Sequence, residues 1–355
     1  MSSGIRRSIG ARVLLTQLGS ALGVLLILGA RAEPTQIKLP AQRSEPVSFQ
    51  NGNVTLAGTL YLPGGTERHP AVVAFHAANG GTRDFHAYQH LVTALPAAGF
   101  AVLLFDRRGS GASSGDFQTA TFEDLAADGI AGISLLKSRP EIDPVRIGVW
   151  GVSQGAWLGP LAATISRDIA FVVSVSGPGV SPARQMDYAA AYALQAAGEP
   201  PDIVNRALRV RAVVNGYYRG SATRSDAERA IGTIRHERWF AQVFLPNSGS
   251  LPLEPKRTKW YAQMDYEPLG TIARVEVPMV LFFARTDPWV PVEESIAGIR
   301  RAARANAAVT IRRVGGADHF MEIVTPGSGE RISAEYVKQL LDWLRETVQR
   351  FGLAS

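Results

Sequence analysis

The chain has 355 residues, 46% of them hydrophobic and 19% charged, which is enough to bury one large core or two modest ones. Its formal net charge of +6 falls to about +2 once residues 1–32, which hold four arginines and no acid, are set aside. This near balance gives no support for a nucleic-acid partner, which requires a clustered basic face. The lack of cysteine excludes disulfides, a thiol nucleophile and thiolate metal ligands.

Residues 1–32 have the pattern of a secretory signal peptide. Arginines precede a mostly apolar run from Val13 to Leu28, and an Ala-Arg-Ala cleavage pattern stands before Glu33. We therefore expect export to the periplasm or the extracellular space, by the general or the twin-arginine route. The alternative is an uncleaved anchor, although about 16 apolar residues are marginal for crossing a bilayer. No stable membrane span is expected after signal cleavage.

Beyond a polar lead-in over residues 33–54, the hydrophobic pattern predicts strands alternating with helices. Predicted strands lie at Val54–Leu62, Ala71–Phe75, Phe100–Phe105, Ile147–Val152 and Ala170–Val175. Predicted helices lie at Phe85–Ala97, from a capping box at Thr121 to near Pro140, and after Ser153. Unbroken apolar runs are typical of strands buried on both faces. The fold class is therefore α/β, with a doubly wound, mostly parallel sheet.

The pattern changes between residues 181 and 272, which carry many aromatic residues, several charges and helical periodicity. This segment, called the insertion below, is predicted to form a helical cap over the sheet. Strands resume at Val277–Phe283 and Val309–Val314, with helices at Pro291–Ala305 and Ile332–Phe351. The predicted division is a signal peptide over 1–32, a catalytic core over 33–180 and 273–355, and a cap over 181–272.

The motif Gly151-Val152-Ser153-Gln154-Gly155 lies between a buried strand and a predicted helix. In that context the motif is typical of a nucleophile elbow, in which a sharp turn exposes the serine hydroxyl at the edge of the sheet. The Gln154 N–H points the same way and is a candidate donor to an oxyanion. The alternative is a structural turn flanked by glycines.

Two further polar residues follow strands, where open α/β sheets bind ligands. Asp287 follows the strand at Val277–Phe283, and His319 follows the last predicted strand. The order serine, acid, histidine, with separations of 134 and 32 residues, fits a catalytic triad. His319 would accept the Ser153 proton, and Asp287 would orient the imidazole. Asp318 is a rival acid.

Together these motifs resemble those of the α/β-hydrolase superfamily, in particular bacterial serine aminopeptidase-like and dienelactone hydrolase-like members. The resemblance covers the elbow GVSQG, the segment DRRGSGASSGD from Asp106 to Asp116, the acid loop ARTDPWVP and the histidine loop ADHF. It implies an α/β-hydrolase fold and a second oxyanion donor at the Ala78 N–H. The family's His-Gly is His76-Ala77 here, so the side chain of Asn79 is an alternative donor.

The sequence therefore predicts a serine hydrolase that cleaves a small-molecule carboxylic ester through an acyl-enzyme intermediate. An exopeptidase or amidase could use the same triad but would need an acidic cluster, and the acids of the insertion are scattered along the sequence. A non-catalytic binding protein on the same fold is the third alternative. The histidines other than His319 show no metal-ligand spacing, and neither a metal nor a cofactor is expected. A structural role is expected for Arg107 and Arg108.

Overall fold

The computed structural model describes residues 42–246, 251–306, 308–325 and 329–352. The predicted signal peptide at 1–32 lies outside the described residues, as does the start of the lead-in. Among the described helices, none is both long enough and apolar enough to span a bilayer.

The fold is organised on an eight-stranded sheet in the order β1-β2-β4-β3-β5-β6-β7-β8. Strands β1 and β2 pair antiparallel, as do β2 and β4, and the remaining pairs are parallel. The mostly parallel prediction is therefore confirmed. The strands are β1 Arg43–Asn51, β2 Val54–Leu62, β3 His69–Phe75, β4 Ala101–Phe105, β5 Ile142–Val152, β6 Val172–Val175, β7 Met279–Ala284 and β8 Val309–Val314.

Two parts of the strand prediction were wrong. The lead-in contains β1, which pairs with β2 along its whole length from Arg43↔Leu62 to Asn51↔Val54. This edge strand carries mostly polar residues and exposes much of its surface, so its sequence lacks the apolar run of the central strands. In addition, β8 is not the last strand: a separate antiparallel pair follows, β9 Glu322–Thr325 and β10 Gly329–Ile332.

Helices cover both faces of the sheet, as the apolar runs of its strands predict. The helices of the core are α1 Gln89–Ala97, α2 Phe122–Lys137, α3 Gly155–Ile165, α9 Val292–Ala302 and α10 Ala334–Gly352. One apolar cluster contains buried residues of α2, α3 and α9, and another contains those of α1 and α10. The predicted capping box at the start of α2 is present, with Thr121 and Asp124 each accepting a backbone N–H of the other.

The insertion lies between β6 and β7 and contains five α-helices in its described ranges, 181–246 and 251–272. These are α4 Pro182–Ala196, α5 Pro201–Arg219, α6 Arg224–Gly232, α7 Lys259–Gln263 and α8 Pro268–Ile272. A third apolar cluster, which includes Leu194, Trp239 and Phe240, belongs to the insertion itself. Several of its aromatic residues therefore stabilise the insertion and are not available to a ligand.

Candidate active site

The turn between β5 and α3 carries Ser153 in a strained conformation. Ser153 has a φ of 57°, in the left-handed region that non-glycine residues rarely adopt. Its N–H donates to the Val175 carbonyl at 2.9 Å, which anchors the turn to β6. A β-carbon at Gly151 would lie 2.1 Å from the Gly155 carbonyl oxygen, and one at Gly155 would lie 2.5 Å from that of Phe75. Both glycines of the motif are therefore required by close backbone contacts.

The loops after β7 and β8 bring Asp287 and His319 into contact. The distance between His319 Nδ1 and Asp287 Oδ2 is 2.8 Å, and both side chains are buried. The other carboxylate oxygen of Asp287 accepts the N–H groups of Trp289 at 2.8 Å and Val290 at 3.1 Å. These bonds fix the carboxylate so that it can orient the imidazole ring.

Asp318, the rival acid, has a different set of partners. Its Oδ1 accepts the N–H groups of Phe320 at 2.9 Å and Glu322 at 2.8 Å. The side chain therefore shapes the loop that carries His319, and the carboxylate that bonds the imidazole is that of Asp287.

Ser153 and His319 line the same cavity, which has a volume of about 480 Å³. Within the described part of the chain, the Ser153 hydroxyl and the His319 ring are not hydrogen-bonded to each other. A hydrogen bond between a catalytic nucleophile and its base often forms only when substrate binds. Aromatic side chains form much of the rest of the wall, namely Phe117, Phe122, Trp157, Trp260, Trp289 and Phe320. Residues of the core and of the insertion therefore enclose one largely apolar site.

Two backbone N–H groups at this cavity are available to a ligand. Gln154 and Ala78 both line it, and neither N–H donates to a backbone carbonyl in the described turns and loops. Ala77 is absent from the residues with a positive φ, so the loop does not need glycine at that position. Asn79, the alternative donor, also lines the cavity. Both backbone N–H groups are therefore candidate donors to an oxyanion.

The loop that carries Ala78 is held by two buried side chains. The Tyr88 hydroxyl accepts the Ala77 N–H at 2.9 Å and donates to the Gly80 carbonyl at 2.6 Å. Arg107 Nη1 donates to the carbonyls of Ala77 at 3.1 Å and Ala78 at 2.8 Å. Burial lowers the pKa of Arg107 to about 10, so it stays charged at neutral pH. Sequence reasoning missed this contact with the oxyanion loop.

The neighbouring residues of the Asp106–Asp116 segment are structural. Asp106 is buried and accepts the N–H of Ala112 at 2.9 Å and the Arg83 guanidinium at 3.0 Å. A β-carbon at Gly111 would lie 2.3 Å from Asp106 Oδ2, which explains the glycine there. Arg108 bonds both oxygens of Asp128 on α2 at 2.7 Å, and this confirms the structural role expected for it.

His76, the histidine nearest to the oxyanion loop, is also structural. Its Nε2 lies 2.5 Å from the Phe105 carbonyl oxygen, and its ring packs edge-on against that of Phe105. Burial lowers the pKa of His76 to about 4, so the ring is neutral and donates to the carbonyl. Among the described residues, no group of three or more histidine, aspartate or glutamate side chains could hold a metal ion.

A parallel sheet wound on both faces, with a serine elbow at its carboxyl edge, defines the class of α/β hydrolases. A sequence model of the alpha/beta hydrolase family matches residues 72–327. The chain belongs to this family.

Individual relatives match shorter stretches. The chain is 36% identical over 118 residues to an uncharacterized protein of Mycobacterium tuberculosis, an alignment that covers 33% of this chain and 40% of that protein. It is 33% identical over 126 residues to the thiohydrolase aneE of Aspergillus aculeatus, covering 34% of this chain and 37% of that protein. The chain therefore spans less than half of the length of these curated relatives.

Among solved structures, an esterase of Pyrococcus furiosus is similar with a TM-score of 0.56 and 21% sequence identity. That similarity covers 86% of this chain and 91% of the esterase chain. At this level of identity it shows the fold alone.

Proposed function

We propose that the protein is a serine hydrolase that cleaves carboxylic esters of small molecules, with Ser153, His319 and Asp287 as its catalytic triad. The observation that carries the proposal is one cavity lined by a strained elbow serine and by a histidine that is hydrogen-bonded to a buried carboxylate. These are the groups that nucleophilic acyl transfer uses, and the proposal requires that the Ser153–His319 hydrogen bond forms when substrate binds.

In the proposed mechanism, His319 Nε2 takes the proton of Ser153 while the hydroxyl oxygen attacks the ester carbonyl. Asp287 holds the other ring nitrogen as a donor and stabilises the imidazolium. The tetrahedral oxyanion accepts the N–H groups of Gln154 and Ala78. The imidazolium then protonates the departing alcohol, and water releases the acyl group from Ser153 by the same steps.

An ester is favoured over a peptide by the composition of the cavity wall. Its lining includes no aspartate or glutamate among the described residues, whereas an exopeptidase needs a carboxylate to bind the free amine of its substrate. The aromatic wall is suited to an apolar acyl or alcohol group. One relative, the thiohydrolase aneE, has a name that also denotes acyl hydrolysis.

The test is hydrolysis of p-nitrophenyl esters of increasing acyl length, measured beside aminoacyl-p-nitroanilides. We expect turnover of the esters that is lost in Ser153→Ala. Turnover of the anilides alone would replace the proposal by the exopeptidase alternative. Lack of turnover of both series by the folded protein would favour the non-catalytic alternative.

We also propose that the insertion caps the catalytic core and that residues 1–32 direct export. Pro182, Gln185 and Met186 of the insertion line the cavity that contains Ser153, which supports the first proposal. The apolar run at Val13–Leu28 supports the second. N-terminal sequencing of the protein from the periplasm or medium tests export, and an N-terminus at Glu33 is expected.

A further inference from the structure

Two cations contact one aromatic ring at the wall of the active-site cavity. The guanidinium carbon of Arg107 lies 3.3 Å from the centroid of the Phe117 ring, and Lys259 Nζ lies 3.7 Å from the same centroid. Phe117 and Lys259 both line the cavity that contains Ser153. Cations are attracted to the ring face, so this contact holds both charges close to the cavity, and of the two cations Lys259 is the one that lines its largely apolar wall.

No carboxylate among the described residues forms an ion pair with Lys259. Its ammonium donates to the backbone carbonyls of Phe117 at 2.7 Å and Ala120 at 3.0 Å. Within the described ranges it takes part in no ion pair, since Asp116 and Asp124 act on it only at longer range. An ammonium group has three donors, and the two carbonyls use two of them.

The arginines of the insertion differ from Lys259 in this respect. Several of them form ion pairs with carboxylates, namely Arg184–Glu294, Arg206–Glu237, Arg211–Asp187 and Arg219–Asp265. Carboxylates of the protein neutralise these arginines, so they give no reason to expect an anionic ligand. Lys259, by contrast, lies on the wall of the cavity and pairs with no carboxylate in the ranges that the structure describes.

A second donor lies beside Lys259. Gln263 is four residues further along α7 and therefore lies on the same helix face. It also lines the cavity, and its buried Nε2 has no hydrogen-bond partner in the described part of the chain. A buried donor without a partner is costly, and an acceptor on a ligand would relieve that cost.

We propose that this cavity selects esters that carry a carboxylate group in addition to the scissile ester, and that Lys259 is the specificity-determining residue that pairs with it. The proposal rests on the proposed function and narrows its substrate class. A carboxylate loses water on entering an aromatic cavity, and a charged hydrogen bond from Lys259 offsets that loss. A neutral ester gains nothing from the same charge.

The test compares matched esters of equal length. p-Nitrophenyl monoesters of glutaric, adipic and suberic acid are compared with p-nitrophenyl pentanoate, hexanoate and octanoate. Phenyl acetate and 4-carboxyphenyl acetate form a second pair, with the charge on the leaving group. We expect kcat/KM to be about 10- to 100-fold higher for the charged member of at least one pair, as charge-assisted hydrogen bonds typically provide.

Three variants test whether Lys259 is the residue that produces the preference for charged esters. Lys259→Met should lower the ratio of charged to neutral kcat/KM to near one, and Lys259→Arg should retain most of it. Lys256→Met is the matched control, because Lys256 is exposed, lies three residues away and is not part of the cavity wall. It removes the same charge and should leave the ratio unchanged.

The pH dependence gives an independent readout. Burial, followed by repulsion from Arg107 and Arg108, lowers the pKa of Lys259 to about 8, while Asp116 and Asp124 oppose that shift. The charged form therefore predominates below about pH 8, and the preference for charged esters should decline as the pH rises through that value. In the Lys259→Arg variant, the preference for charged esters should persist as the pH rises through that value.

The outcomes separate this inference from the proposed function. Turnover of neutral esters without a preference for any charged partner overturns the inference and leaves the esterase proposal standing. Failure to hydrolyse every ester overturns the esterase proposal itself. A third outcome is that Lys259→Met lowers the activities on charged and neutral esters equally, together with the melting temperature. In that case Lys259 only stabilises the contact between the insertion and the loop before α2, and the inference is wrong.

Discussion

Arg107 Nη1 donates to the carbonyl oxygen of Ala78 at 2.8 Å and to that of Ala77 at 3.1 Å. The Ala77 carbonyl belongs to the same peptide group as the Ala78 N–H, and the Ala78 carbonyl to the same group as the Asn79 N–H. A cation bonded to a carbonyl polarises its peptide group, which makes the N–H a stronger donor. Arg107 therefore supports the candidate oxyanion donor at the Ala78 N–H and holds the peptide that leads to Asn79, as a positioning residue.

Replacement of Arg107 should lower kcat more than it raises KM. We expect a decrease of about 10- to 100-fold in kcat for Arg107→Met, since loss of an oxyanion donor outright costs about 10²–10³-fold. Binding of a boronic acid analogue, which forms a tetrahedral adduct with the serine, should weaken in parallel. A purely structural role would instead change stability and leave the ratio of analogue to substrate affinity intact, and urea unfolding of the variant checks this.

Asp287→Asn should reduce kcat by about 10⁴-fold, because the amide no longer fixes the productive tautomer of His319. Asp318→Asn is the matched control in the adjacent loop, since Asp318 bonds backbone N–H groups and not the imidazole. Steady-state kinetics on a p-nitrophenyl ester measure both. A small decrease in kcat for the variant at position 287 and a large decrease for the variant at position 318 would show that Asp318 is the acid of the triad.

His319→Ala should lower kcat by several orders of magnitude without unfolding the protein, because the variant removes the general base and leaves the sheet intact. Circular dichroism checks that the variant is folded, and kcat measured on the same preparation checks the loss of activity. A near-normal rate would remove His319 from its proposed role.

The ion pair between Arg108 and Asp128 is bidentate and partly buried, with the side chains of Arg108 and Asp128 11% and 1% exposed. Among the described carboxylates, Asp128→Ala leaves the guanidinium with only Asp124, 3.8 Å away, and should lower the free energy of unfolding by about 1.5–3 kcal/mol, the range for hydrogen bonds to charged groups. Asp168→Ala breaks the exposed pair with Lys137 and should cost less than about 1 kcal/mol. Urea unfolding at pH 7 measures both, and equal losses would contradict the prediction.

Stability should decrease on mild acidification. Burial lowers the pKa of both His76 and His90 to about 4, below the ordinary value near 6.5. Between those values the unfolded chain binds protons that the folded protein does not, so stability is full above about pH 6.5 and is lost as the pH falls toward 4. The loss between pH 7 and 5 is about 2 kcal/mol for each histidine.

A comparison of urea unfolding at pH 7 and pH 5 measures this loss. His90→Met should reduce the pH dependence, because it removes one of the two buried titrating rings. A variant with the same pH dependence as the original chain would exclude His90 as a source of the loss.

The local sequence was sufficient to predict those parts of the fold that depend on a pattern of a few consecutive residues. The unbroken apolar runs identified the central strands, since only burial on both faces favours such runs. The glycines around Ser153 predicted its turn, and Thr121 with Asp124 predicted the start of α2. The edge strand β1 and the β9–β10 pair were missed because mostly polar or short strands lack that signal.

The sequence by itself therefore determined the α/β class, the elbow and the candidates for acid and base, because each depends on neighbours along the chain. Only the tertiary structure decided that Asp287 and not Asp318 bonds His319, and that Arg107 supports Ala78. It alone brought Lys259 to Phe117, 142 residues away along the chain. Contacts of this kind arise where distant loops meet at one edge of the sheet, and no local pattern specifies which loops meet.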